Sequence, residues 1–328
     1  MFKNAVEKVG RFTRPIMFIH RAYRSDKVLP ALGTLFFVND QGCALTSKQV
    51  AMSLMNAEKI NQQYAAFKEE CAGVMEVKPG NYKKEIQMLE RKYRYQPGVI
   101  VNSKAKFVDA PSPFTGFQVH LHPTYDLAII RFKDFEKLNY ISEDIVLLDD
   151  ATQLQPGKSL CRLGFPFPEF NNFRYAKETD DIVWTDDQIR VPSFPLDGML
   201  TRHLGNPSNG ELYGLEISTP GLRGQNGGPL FDTEGRICGL QFATNNLYLG
   251  FDVQKTVNIG GHEKTISNQP FMHVGHCLHI NVIKAFLDQN NIPYRTAYAP
   301  RDKPKARITY ARSASESSDR PGFLITTA

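Results

Sequence analysis

The chain has 328 residues, with 39 Lys and Arg against 34 Asp and Glu, a formal net charge of +5. So mild a charge does not by itself point to nucleic acid, and no apolar run approaches the roughly 20 residues that cross a bilayer, so no membrane partner is expected. Aromatics at 11%, with 24 Gly and 20 Pro, suit many short strands and turns.

The opening segment, "MFKNAVEKVGRFTRPIMFIHRAYR", scatters its charges and lacks the apolar core and cleavage site of a signal peptide. A cytoplasmic protein is expected. Residues 31–50, "ALGTLFFVNDQGCALTSKQV", read as strand, turn and strand, with "VNDQG" as the turn. Residues 51–97 change character. Apolar side chains fall at Met52, Met55, Ile60, Tyr64, Phe67 and Cys71, and after "KPGN" at Tyr82, Ile86, Leu89 and Tyr93. This spacing predicts a hairpin of two short helices. Short helices are marginal alone. Met52, Ile60, Tyr64 and Phe67 should therefore face Ile86, Leu89 and Tyr93 or the neighbouring sheet, or else form a partner surface. Tyr64, Phe67 and Tyr93 are the candidate partner-binding residues.

Strand text returns at "GVIVNSKAKFVDA", "GFQVHLHPTYDLAIIRF", "SLCRLGFP", "LYGLEIST", "RICGLQFAT" and "HVGHCLHI". A short amphipathic helix follows at "NVIKAFLDQN", with Val282, Ile283, Phe286 and Leu287 on one side. From residue 296 the text is polar, basic and proline-containing, so a flexible tail is expected. Its terminal "GFLITTA" has the form of a segment that adds to a sheet edge. Its basic residues (Arg295, Arg301, Lys303, Lys305, Arg307 and Arg312) have no interleaved aromatic platform, so nucleic acid is not the expected partner.

The 5 cysteines (Cys43, Cys71, Cys161, Cys238 and Cys277) are far apart and mostly in strand-like text. They read as free buried thiols. His120 and His122 share a strand face, but alternation separates His276 from His273 and His279. No metal site and no cofactor is expected.

Three stretches carry chemistry. "GTLFFVNDQGCALTSKQV" resembles the Gly-x-Phe-Val, turn, Leu-Thr-x-x-His-Val pattern of trypsin-like serine proteases, with Gln49 at the histidine position. "HPTYDLAIIRF" resembles the stretch around their catalytic aspartate, which Asp126 matches. "STPGLRGQNGGPLFDTEGRICGL" resembles the nucleophile loop, with Asn226 in the serine's place among Gly224, Gly227, Gly228 and Pro229. "LQPGKSLCRLGFP" and "HVGHCLHINVIKAFLDQ" are similar to later strands and the closing helix of HtrA-like, bacterial members. The resemblance covers residues 12 to 295 and is to a trypsin-like (chymotrypsin-fold, HtrA-like) protease homologue.

That resemblance implies an all-β fold with helical insertions: a double six-stranded antiparallel β-barrel and a short closing C-terminal helix. The expected division is a first barrel at 1–140 with the helical insertion at 51–97, a second barrel and closing helix at 141–295, and the tail at 296–328. It also implies a cleft holding Gln49, Asp126 and Asn226, with Gly224 and Gly227 as the oxyanion-loop remnant.

Glutamine is no general base near neutral pH, and an asparagine amide is a poor nucleophile. Of nearby substitutes, Ser47 lies on Gln49's face of a strand and Lys48 on the other. Neither makes an activated pair, and nor does Cys43. No catalytic residue is expected to be active. The expectation is a pseudoprotease acting as a protein-binding or regulatory subunit of a signalling or defence assembly. The alternatives are a conditionally active serine-type hydrolase and a nucleic-acid accessory protein using the tail.

Overall fold

The computed structural model describes residues 1–77, 82–185, 191–260 and 262–297, together with the backbone of Ile308–Ala311. The chain opens with α1 (Lys3–Gly10), β1 (Thr13–Ala22), β2 (Val28–Phe37) and β3 (Cys43–Thr46). Two helices follow, α2 (Lys48–Val77) and α3 (Tyr82–Tyr93), then β4 (Ile100–Phe107), β5 (Gly116–Leu121) and β6 (Ala128–Lys133). The second half contains β7 (Leu147–Leu148), β8 (Ser159–Gly164), β9 (Phe173–Ala176), β10 (Asp181–Trp184), β11 (Phe194–Gly205), β12 (Leu212–Ile217) and β13 (Pro229–Phe231). It continues through β14 (Ile237–Tyr248), β15 (Val253–Ile259), β16 (His262–Asn268), β17 (Phe271–His279), α4 (Ile280–Gln289), β18 (Tyr294–Ala297) and β19 (Ile308–Ala311).

The first unit is a 6-stranded antiparallel sheet in the order β4-β1-β2-β3-β6-β5. It curls so that its outer strands meet, Phe107 of β4 lying 5.3 Å from Phe117 of β5. In the second unit, β13-β8-β11-β12-β17-β14 is closed into a ring by pairing of β13 with β14. This is the chymotrypsin-like double barrel. One apolar cluster runs through both units, from Phe36, Leu45 and Ile129 to Leu163, Leu230 and Ile283.

α1 was not legible in the sequence. It is only 8 residues long, and it buries Ala5 and Val9 against that common core. The closing helix α4 is capped by His279, whose Nδ1 accepts from the Asn281 N–H at 3.2 Å. It buries Ile280, Ile283, Phe286 and Leu287, while Val282 is only partly covered.

The helical insertion differs from expectation in length. α2 is one helix of 30 residues starting at Lys48, and α3 has 12. The buried stripe is Ala51, Leu54, Ala57, Tyr64, Phe67 and Cys71, spaced three, four and seven apart. Met52 and Met55 are exposed instead. Asn61 explains the docking of α2. Its amide donates to the Ser103 carbonyl at 2.7 Å and accepts the Ser103 N–H at 2.9 Å. Ser103 lies in β4, at the edge of the first sheet, so the helix covers an edge strand as a further strand would.

Tyr64 and Phe67 are 6% and 4% exposed. They pack with Tyr23, Tyr95 and Val101, and Tyr93 closes the cluster from α3. This corrects their assignment to a partner surface: burying aromatic area against the first barrel stabilises the insertion. The tail boundary also moves. Thr296 and Ala297 lie in β18, which pairs in parallel with β7 and antiparallel with Ile308–Ala311. The sheet thus continues past the expected start of a flexible tail. "GFLITTA" and the basic residues Arg301, Lys303, Lys305, Arg307 and Arg312 lie outside the described side chains. Among the described residues, no helix is long and apolar enough to cross a membrane.

Candidate functional site

The nucleophile-like loop is pinned by a residue that sequence reading missed. Thr34, in β2 of the first barrel, donates its hydroxyl to the Gly224 carbonyl at 2.6 Å and accepts the Phe165 N–H at 3.2 Å. Its own N–H donates to the Asn226 carbonyl at 3.3 Å. Gln225, fully buried, accepts from the Leu222 N–H at 3.0 Å and donates to the Phe194 carbonyl at 3.2 Å. Arg162 is also fully buried, and burial lowers its pKa. It donates to Gln241 Oε1 at 2.8 Å and to the Thr219 carbonyl at 2.9 Å. Thr34 and Arg162 carry no local motif that would have marked them.

Gln49 and Asn226 line one cleft of about 440 Å³. Asp126 sits beside it and holds the start of α2. Its Oδ1 accepts the backbone N–H of Gln49 at 2.9 Å. Ser47 Oγ accepts the Val50 N–H at 3.2 Å. Ser47 is therefore the N-cap of α2, and Asp126 caps a further orphan N–H from outside the helix. A carboxylate at a helix N-terminus is favoured by the backbone dipoles. Burial nonetheless raises the Asp126 pKa, against the lowering effect of the Gln49 and Lys48 backbone N–H groups.

The strand geometry expected for residues 47–49 is thereby corrected, because the helix begins at Lys48. Ser47 is fully buried and spent as a cap, Cys43 is buried, and Lys48 Nζ donates to the Pro123 carbonyl at 3.2 Å. The Gln49 side chain is exposed and makes no hydrogen bond to Asp126.

Gly224 borders the cleft, whereas Gly227 does not. The Gly227 N–H donates to the Gln241 carbonyl at 2.9 Å. Gly227 is thus a packing residue and not a donor to the cleft. Among the described residues, the N–H groups of Gly224 and Asn226 have no hydrogen-bond partner. His20, in β1, also lines the cleft. Its Nδ1 lies 3.1 Å from the Ser103 hydroxyl, and burial lowers its pKa, so it is neutral at neutral pH.

Two further histidines serve a turn and a helix cap. His122 Nδ1 accepts the Thr124 and Tyr125 N–H groups at 3.1 and 3.0 Å. Burial, with the charge of Lys48, lowers its pKa to about 4. Burial, with His203 and Lys284, does the same to His279, also to about 4. A histidine kept neutral in the fold binds its proton more readily once unfolded. Its stabilisation is present above the ordinary value of 6.5 and is lost as pH falls toward 4. His279→Asn keeps a capping acceptor and removes the titration. The stability gap between the native chain and this variant should therefore move against the native chain on going from pH 7 to pH 4. Urea midpoints across that range measure it, and a gap that stays constant would contradict it.

All five cysteines are buried and free of disulfides. Among the described residues, no three His, Cys, Asp or Glu side chains group as a metal site.

No family model and no curated protein matches the chain. Among solved structures it is similar to an "HtrA-type protease AlgWS227A with tripeptide", at 13% identity and a TM-score of 0.43. The alignment covers 88% of this chain and 63% of that one, so the chain spans under two thirds of the length of that protease.

Proposed function

We propose that this chain is a protease-fold protein that binds another protein and does not hydrolyse it. The observation that carries this reading is the pair of side chains that line the cleft, Gln49 and Asn226. In a serine-protease triad the aspartate orients the histidine that moves the proton. Here the Asp126 carboxylate caps α2 through the Gln49 N–H at 2.9 Å. Gln49 cannot take a proton near neutral pH, and Asn226 offers no activatable hydroxyl or thiol. What the cleft retains is hydrogen-bonding capacity: the free N–H groups of Gly224 and Asn226, the two amide side chains, and the guanidinium of Arg223 on the same wall. Met52, exposed one turn after Gln49, extends this surface with an adaptable apolar side chain. The protein partner therefore engages the cleft and the start of α2, in place of the buried Tyr64 and Phe67. A regulatory role in a larger assembly is the corresponding biological proposal.

The purified protein is expected to leave ester and amide substrates intact and to remain unlabelled by a fluorophosphonate probe. Labelling lost on Asn226→Ala would overturn the reading. A second reading, a conditionally active hydrolase, is favoured by His20, an imidazole on the cleft wall. It requires any turnover to disappear in His20→Ala with the fold intact.

A further inference from the structure

We infer that the ribbon formed by β15 and β16 is a docking arm that accepts an extended acidic and apolar segment of a partner protein as an added strand. The inference does not depend on the cleft. β14 and β17 run on beyond the barrel to the pair Tyr248 and Phe271, and β15–β16 prolongs them from Val253–Asn268 to Ile259–His262. Among the described residues, β15 and β16 pair only with each other. Both outer edges therefore present open backbone N–H and C=O groups. A lone two-stranded ribbon is at best marginal in water and gains stability from a third strand or a covering surface.

The register gives the two faces opposite character. Lys255 lies opposite Ile266, and Val257 opposite Lys264, with Val253 on the same face by alternation. The other face carries Gln254 opposite Ser267, Thr256 opposite Thr265 and Asn258 opposite Glu263. One face is thus apolar and basic without an acid, and Lys255 and Lys264 form no ion pair among the described residues. The exposed apolar side chains continue at the ribbon's base through Tyr248, Leu249, Phe251, Phe271 and Met272.

This chemistry selects the occupant. A second copy laid face to face would set lysines against lysines. A lipid surface would leave the open edges unsatisfied if the ribbon entered hydrocarbon. An extended strand whose every second residue is in turn apolar and acidic, with neutral polar residues between, satisfies an edge, packs on Val253 and Ile266 and neutralises the lysines on that same face.

The test uses the full chain and a fluorescein-labelled synthetic peptide of about nine residues, with Val and Glu in turn at every second position and Thr between them, the strand form that the register calls for. Controls are the same peptide with Lys for Glu, and one with a central proline, which removes a ladder donor. The acidic peptide should bind at least about tenfold more tightly than the basic one, and the proline peptide should lose binding. The double variant Lys255→Glu and Lys264→Glu, on exposed positions, should reverse the preference while its Tm stays within about 2 °C. Equal binding of the acidic and basic peptides would overturn the proposal. So would a dimer, seen by sedimentation velocity, that the double variant disperses, which would make a second copy the occupant. Co-sedimentation with phosphatidylserine vesicles that the double variant abolishes would assign the arm to lipid and equally overturn it.

Discussion

Asp180→Ala is expected to destabilise the protein by about 3–5 kcal/mol, the usual cost of stripping the partner from a buried charge. The Arg21 side chain is 3% exposed and lies 2.7 Å from Asp180 Oδ1. The same carboxylate accepts the hydroxyls of Tyr64 at 2.5 Å and Tyr175 at 2.6 Å. It therefore ties together β1, α2 and the β9–β10 hairpin. Burial and the nearby carboxylate both push the Tyr64 phenol well above its ordinary pKa, so the hydroxyl remains a donor. Alanine would leave the buried guanidinium without its counter-charge, held by Asn102 Oδ1 at 2.8 Å and the Ser25 carbonyl at 3.2 Å, and two hydroxyls without their acceptor. It would also fit poorly at the left-handed backbone of this position, where φ is 50°. Asp180→Asn keeps an acceptor and tolerates that backbone, so it should lose clearly less. Urea midpoints of the two variants check the order. A loss below about 1 kcal/mol for Asp180→Ala would mean that water replaces the carboxylate, and the network would then not hold the hairpin.

Gly227→Ala should cost about 3 kcal/mol or more, combining overpacking with a left-handed backbone. Its φ is +87°, and an added Cβ would lie 2.3 Å from the Thr34 carbonyl and 2.4 Å from the Thr46 hydroxyl. Neither can retreat cheaply, because both belong to the first barrel's sheet and support the loop. Gly73→Ala in α2 is the contrasting substitution. Its added Cβ meets nothing within 4 Å, and it should stabilise by about 0.5–1 kcal/mol through helix propensity. Thermal unfolding of both variants measures the contrast. A mild effect at Gly227 would mean that the joint between the barrels is looser than its contacts require. The expected large loss would give the Gly-Gly-Pro run a structural role that holds whatever the cleft does.

The alternation of "GFQVHLHPTYDLAIIRF", the three-and-four spacing after residue 51 and the glycines around Asn226 are local patterns. Each follows from backbone geometry over a few residues. The order of the three protease-like motifs carried a resemblance that implied the double barrel, and the structure brings Gln49 and Asn226 to one cleft. The local patterns also showed that the insertion has an apolar stripe. They did not show which surface covers that stripe, since periodicity is the same whether Tyr64 and Phe67 meet a partner or the chain's own first barrel. The length of α2 was likewise hidden, because its start depends on two caps, and Asp126 lies 77 residues beyond the Gln49 N–H that it accepts. Thr34 holds the Gly224 carbonyl across 190 residues, and Asp180 meets Arg21 across 159. Such pairings are chosen when the two barrels and the helix pack. A carboxylate or hydroxyl takes the unsatisfied backbone groups or buried charge that packing places next to it, and only the tertiary structure decides which those are.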